Sequence, residues 1–161
     1  MITESFGQIV DRMVIEQLKA FMHTDPEKKQ QCEDQASLLQ TAADAYLYEC
    51  ATGTRKPHVN HSARYHDHKT HDIEHVTLYA DTVGEAILGL SKQHFDYWQL
   101  QSRIQEIKGK LDDEKYASTH TELSVEFVDL QRKIDMCNQN RNDIRDRLDK
   151  ILVELFSRKE S

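Results

Sequence analysis

An all-α fold, an antiparallel four-helix bundle with two long helices and a shorter N-terminal hairpin, is what three features of this chain predict. The first is an unbroken 4-3-4-3 series of ten positions: Leu123, Phe127, Leu130, Ile134, Cys137, Arg141, Ile144, Leu148, Ile151 and Leu155. That spacing keeps every member on one stripe of an α-helix. The second is composition, with only 5 glycines and 2 prolines in 161 residues and 30% of the chain charged. The third is the lack of the β-branched alternation that marks strands. A chain of this length fits one domain, residues 1–161, and can bury a continuous core without metals or disulfides.

The elements follow in order. Ser5 and Gln8 stand as a capping box before a helix over about Phe6–Met22. The apolar residues of that helix cover more than half its circumference, which places it inside the bundle. Asp25 as N-cap and Pro26 at the first helical position open a second helix that ends near Thr52, before Gly53. Its expected buried face is Cys32, Ala36, Leu39, Ala42, Ala43, Tyr46, Leu47 and Cys50. Residues 54–71 have no helical period and read as a histidine-rich loop. A third helix is expected from about Asp72 to Lys108, interrupted by Gly84 and Gly89, and a fourth from a second capping box, Thr119 with Glu122, to about Phe156. With the turn between these two centred near Lys115, residues whose numbers sum to about 230 lie opposite one another. Arg141 then faces the neighbourhood of Gly89, Cys137 the neighbourhood of Gln93 and His94, and His94 sits in the core stripe between Leu90 and Tyr97.

Arg141 is the one charged member of the C-terminal stripe, and Asn138, Gln139, Asn140, Asn142 and Asp143 surround it with a polar belt. A buried guanidinium without a partner costs several kcal/mol, so a carboxylate, a ligand or water must meet it. His94, Asn138, Arg141 and Asn142 form the expected cluster. Asp11 is the favoured acidic partner, because it shares a helical row with Ile15, Leu18 and Met22; Glu16 and Glu49 are the alternatives. Arginine with amides suits a carboxylate, a phosphate or a sugar hydroxyl array. The same pattern also arises from an internal network that fixes helix register.

The second constellation is the loop, where six of the nine histidines fall between His58 and His75. His66, His68, His71 and His75, with Asp67 and Asp72, have the donor types for a divalent transition metal, and His71 and His75 would share a helix face. No HExxH spacing stands here, and a polar loop supplies ligands more readily than rigidity. Glu126 and Asp129 form one ExxD, without the upstream ExxE that a helical nucleotide pyrophosphohydrolase would need. Asp143, Asp146 and Asp149 interleave with Arg145 and Arg147 and read as a solvated, charge-balanced face. Nucleophile motifs and phosphate-binding glycine loops are missing.

The net charge of −7 and a pI near 5.7 give no attraction to phosphate backbones, so nucleic acid is not an expected partner. Cys32, Cys50 and Cys137 lack paired spacing and read as core thiols of a reducing compartment. No basic leader with an apolar stretch opens the chain and no apolar run approaches a bilayer span, which together make a soluble cytoplasmic protein the expectation. The long stripe of the last helix leaves homodimerisation open.

Three segments resemble an uncharacterised all-helical bacterial family, a domain of unknown function encoded beside glycosyltransferases in lipopolysaccharide and cell-surface glycan loci. SFGQIVDRMVIEQLK is similar to its opening pattern through Gly7, Ile9, Val10, Asp11, Arg12 and Lys19. KIDMCNQNRNDIRDRLDKI resembles its second signature through Asn138, Gln139, Arg141, Asn142 and Asp143, and YWQLQSRIQEIKG its tryptophan-centred segment through Trp98 and Arg103. Gln99 stands where that segment has an acidic residue, and the histidine-rich loop has no counterpart in the resemblance. The resemblance implies a helical protein accessory to envelope glycan synthesis. It marks Asp11, Lys19 and the Asn138–Asp143 belt, and adds Trp98 and Arg103 to a ligand site. The expectation is a non-enzymatic module that binds a partner protein or a small anionic or sugar ligand and needs no cofactor. A metal-dependent hydrolase using the histidine-rich loop is the alternative.

Overall fold

Local chemistry sets where each helix starts. The computed structural model describes residues 4–60 and 82–157. The elements are α1 (Phe6–Met22), α2 (Pro26–Thr52), α3 (Val83–Leu111), a 3-10 turn (Glu114–Thr119) and α4 (His120–Ser157), with no strand among the described residues. Ser5 Oγ accepts from Gln8 N at 3.3 Å and Gln8 Oε1 accepts from Ser5 N at 2.8 Å, completing the capping box of α1. Asp25 accepts from Glu27 N at 3.1 Å ahead of Pro26, and Gly53 closes α2 at φ 80°, a left-handed conformation that favours glycine.

The third helix differs from expectation. Thr82 is extended (φ −127°, ψ 160°) and caps α3 by accepting from Glu85 N, so α3 begins at Val83; residues 72–81 of the expected helix lie outside the described residues. The expected capping box at Thr119 does not form. Instead Asp113 caps a 3-10 turn, Thr119 donates its hydroxyl to the Tyr116 carbonyl at 2.9 Å, and the turn runs directly into α4.

Helix α1 is the hub: it touches α2, α3 and α4, while α2 rests mainly on α1 and α3 pairs with α4. At about 1.5 Å per residue, the 38 residues of α4 extend roughly 57 Å. The long α3–α4 hairpin therefore outreaches the α1–α2 hairpin that covers one of its ends. The core divides accordingly. One cluster joins all four helices through Phe6, Val10, Val14, Leu39, Tyr46, Leu90, Ile144, Leu148 and Leu152. The other, Ile104, Ile107, Leu123, Leu130 and Ile134, belongs to α3 and α4 alone. The polar level of Gln93, His94 and Asn140 lies between them.

Burial follows the sequence pattern with four departures. Ala42 is exposed and Cys32 only half-buried on α2, because α2 presents a narrow face, mainly to α1. Phe21 is 79% exposed at the end of α1, and Leu155 ends the C-terminal stripe at 49% exposed. All three cysteines are free.

Candidate functional site

The register of α3 against α4 determines what reaches the polar belt. A Cβ on Gly89 would lie 3.2 Å from Ile144 Cδ1, Gln93 meets Asn140, and Arg103 pairs with Glu126. The antiparallel pairing is as expected and Arg103 with Glu126 keeps the expected register near the turn, but at the belt Gly89 faces Ile144, one helical turn beyond Arg141. Gln93, not His94, occupies the α3 stripe facing α4, in the series Ala86, Leu90, Gln93, Tyr97, Leu100, Ile104 and Ile107. His94, one residue on, turns toward α1.

There it meets Asp11. The Asp11 side chain is 5% exposed; its Oδ1 lies 2.7 Å from His94 Nε2, and its Oδ2 lies 3.6 Å from Arg141 Nε and 3.8 Å from an Arg145 guanidinium nitrogen. The acidic partner inferred from the helical row of α1 is thus in place. Glu16 pairs with Lys19 and Glu49 with Arg55 instead. Arg141 keeps 26% of its side chain exposed, so it reaches the cluster from the rim, yet its buried Nε has no hydrogen-bond partner among the described residues. Burying such a donor unbonded costs about 1–3 kcal/mol.

A second polar contact locks α1 onto α4 one turn away. Gly7 N, one of the open donors in the first turn of α1, donates to Asp149 Oδ1 at 2.6 Å. Glycine is required there: a Cβ would strike the Arg145 carbonyl oxygen and lie 2.9 Å from both Arg145 Cγ and Asp149 Oδ1. Burial pushes the Asp149 carboxyl up from its ordinary value; the Ser5 hydroxyl and Gly7 N–H oppose the rise, and Asp146 adds to it. Its Oδ2 has no hydrogen bond among the described residues. Asp146 and Asp149, 6% and 1% exposed, are therefore not the solvated face that their interleaving with arginines suggests. Where α1 crosses, α4 buries a second row through Asn142, Asp149 and Leu152. The signal for this was Gly7 in the opening turn of a helix.

The remaining site candidates separate. Asn142 is buried and donates to the Asn138 carbonyl at 2.8 Å within its own helix, and Asp143 is half-buried and has interactions of its own. Lys19 pairs with Glu16 at 3.6 Å, more than two turns from Asp11. Trp98 packs edge-on to His23 with ring centroids 6.3 Å apart. Arg103 grips Glu126 through two hydrogen bonds of 2.8 and 3.1 Å and pairs with Glu106, which raises its guanidinium pKa and holds both carboxyls low. Lys19, Trp98 and Arg103 thus stand apart from the Asp11 cluster. Reasoning from the sequence missed Arg145, Asp149, Gly7 and Gln93.

His66, His68, His71 and His75 lie outside the described residues. Among the described residues, no group of three or more histidine, cysteine or acidic side chains could hold a metal ion, and no helix is long and apolar enough to cross a membrane. Compared with protein-family models, curated proteins and solved structures, the chain matches none.

Proposed function

We propose that this chain is a non-enzymatic binding or interaction module accessory to cell-envelope glycan or lipopolysaccharide synthesis, acting in the cytoplasm. Its ligand site is the polar level around Arg141. The observation that carries this reading is the state of that arginine. It is a quarter exposed at the rim of a bundle and stands 3.6 Å from a carboxylate already held by His94, with its buried Nε hydrogen bonding nothing among the described residues. With Nε held beside Asp11, the exposed quarter of the side chain is what can meet a carboxylate or phosphate at the rim. The resemblance of the α1 segment and of the Asn138–Asp143 belt to the glycan-locus family supports the setting, since both segments contribute to the same cluster.

The test is thermal denaturation of the purified protein with inorganic phosphate, a hexose phosphate or a sugar nucleotide. A ligand at about 100 times its Kd adds about 2.7 kcal/mol. For a chain of this size that raises Tm by roughly 5–10 °C. The rise should disappear in Arg141→Leu, whose helical circular dichroism stays as in the parent. Anions that leave Tm unchanged, or that act equally on Arg141→Leu, sink the proposal.

A further inference from the structure

We propose that the groove between α3 and α4 on the outer side of Gln93 and Asn140 is a second binding site, selective for a neutral sugar ring. It does not rest on the reading of Arg141. The groove has a volume of about 420 Å³, within the range of roughly 300–1,000 Å³ usual for small-molecule sites.

Its floor is unusual for this hairpin. Gln93, 4% exposed, is the polar member of an otherwise apolar or aromatic α3 stripe, and Asn140, 9% exposed, donates to it. Nδ2 of Asn140 and Oε1 of Gln93 are 3.5 Å apart, and both side chains, though buried, line the open groove.

The walls indicate the ligand class. Every cation that lines the groove already has a carboxylate: Lys92 faces Asp96 at 3.7 Å, Lys133 faces Asp129 at 3.1 Å, and Arg103 holds Glu126 and Glu106. An anion would gain little from such neutralised charges. Hydroxyl groups would find the Gln93 and Gln99 amides and the Lys92–Asp96 pair as donors and acceptors, while Leu100 and Met136 offer apolar surface to a C–H face.

Saturation-transfer NMR on the full chain, with the methyl glycosides of neutral hexoses and of an N-acetylhexosamine as probes and glycerol as control, tests this. The expected result is saturable transfer to at least one glycoside, weakened about tenfold or more in Gln93→Leu and less in Asp96→Asn. Transfer no greater than to glycerol would leave Gln93 and Asn140 as a register pair and overturn the proposal. So would unchanged affinity in a folded Gln93→Leu. If that variant fails to fold, unchanged affinity in Asp96→Asn, which alters only the exposed wall, decides against the site. A hexose phosphate that binds this groove more tightly than the neutral glycoside overturns the assigned class.

Discussion

Removing the Asp11 carboxylate should cost far more than removing the arginine beside it. In Asp11→Ala, His94 (6% exposed) and Arg145 (13%) lose the buried anion they share, and Arg141 (26%) loses its anchor. Breaking a buried charge pair from one side costs about 3–5 kcal/mol, because the stranded partners remain desolvated. Against a total stability of about 5–15 kcal/mol this is a large fraction. At about 2–4 °C per kcal/mol, Tm should fall by roughly 6–20 °C. Arg141→Leu is milder. Asp11 keeps His94 at 2.7 Å and Arg145 at 3.8 Å, and leucine completes the apolar stripe between Cys137 and Ile144, so the loss should stay within about 1 kcal/mol. Urea titrations followed by circular dichroism, on both single variants and on the double variant, measure the two costs and their coupling. The reasoning is refuted if Arg141→Leu costs as much as Asp11→Ala, or if Asp11→Ala costs less than about 1 kcal/mol.

Three further outcomes follow from the α1–α4 contact and its counterpart on the surface. Because burial raises the Asp149 carboxyl above its ordinary value of 3.8, the folded chain binds that proton more tightly than the unfolded chain. The stability linked to it is complete below pH 3.8 and is lost as pH rises through the elevated value. Asp149→Asn, which keeps an acceptor for Gly7 N, should therefore gain in Tm relative to the parent as pH rises from 4 to 7; a difference that stays flat or shrinks contradicts the assignment. Gly7→Ala should destabilise by about 1–3 kcal/mol or more, since the new methyl meets backbone that cannot step aside. Gly109→Ala, with nothing within 4 Å, should be neutral or stabilising by up to about 1 kcal/mol, and thermal melts that reverse this order would show that α1 does not approach α4 so closely.

What could be read from the sequence was whatever depends on neighbours along the chain or on one helical face. Ser5 with Gln8, Asp25 with Pro26, and Gly53 delimit α1 and α2 because capping is satisfied within a turn. Asp11 could be matched to Arg141 because a single helical row fixes which residues of α1 turn inward. The failures lie where two separate segments decide together. Thr119 has the composition of a cap, but its hydroxyl bonds back to Tyr116 once the hairpin turn tightens into a 3-10 helix. At the belt the α3–α4 pairing stands about three residues from the expected one, enough to put Gln93 rather than His94 at the seam and Ile144 rather than Arg141 opposite Gly89. Asp146 and Asp149 were misread because charge alternation describes a lone helix in water, and the crossing of α1 is what encloses them.

The polar level also partitions the molecule mechanically. On one side four helices share an apolar core; on the other a two-helix arm is closed by Ile104, Ile107, Leu123, Leu130 and Ile134 with the half-buried Tyr97, Leu100, Leu111, Tyr116 and Phe127 against them. Apolar packing is what makes a helix pair cooperative, and the layer of Gln93, Asn140, His94 and Asp11 interrupts it. Amide hydrogens of the arm should therefore exchange through openings that leave the four-helix end closed. A molecule grasped at the belt would sit on the boundary between these units, where a modest stiffening is passed along a lever more than 20 Å long to the tip at Glu114–Thr119.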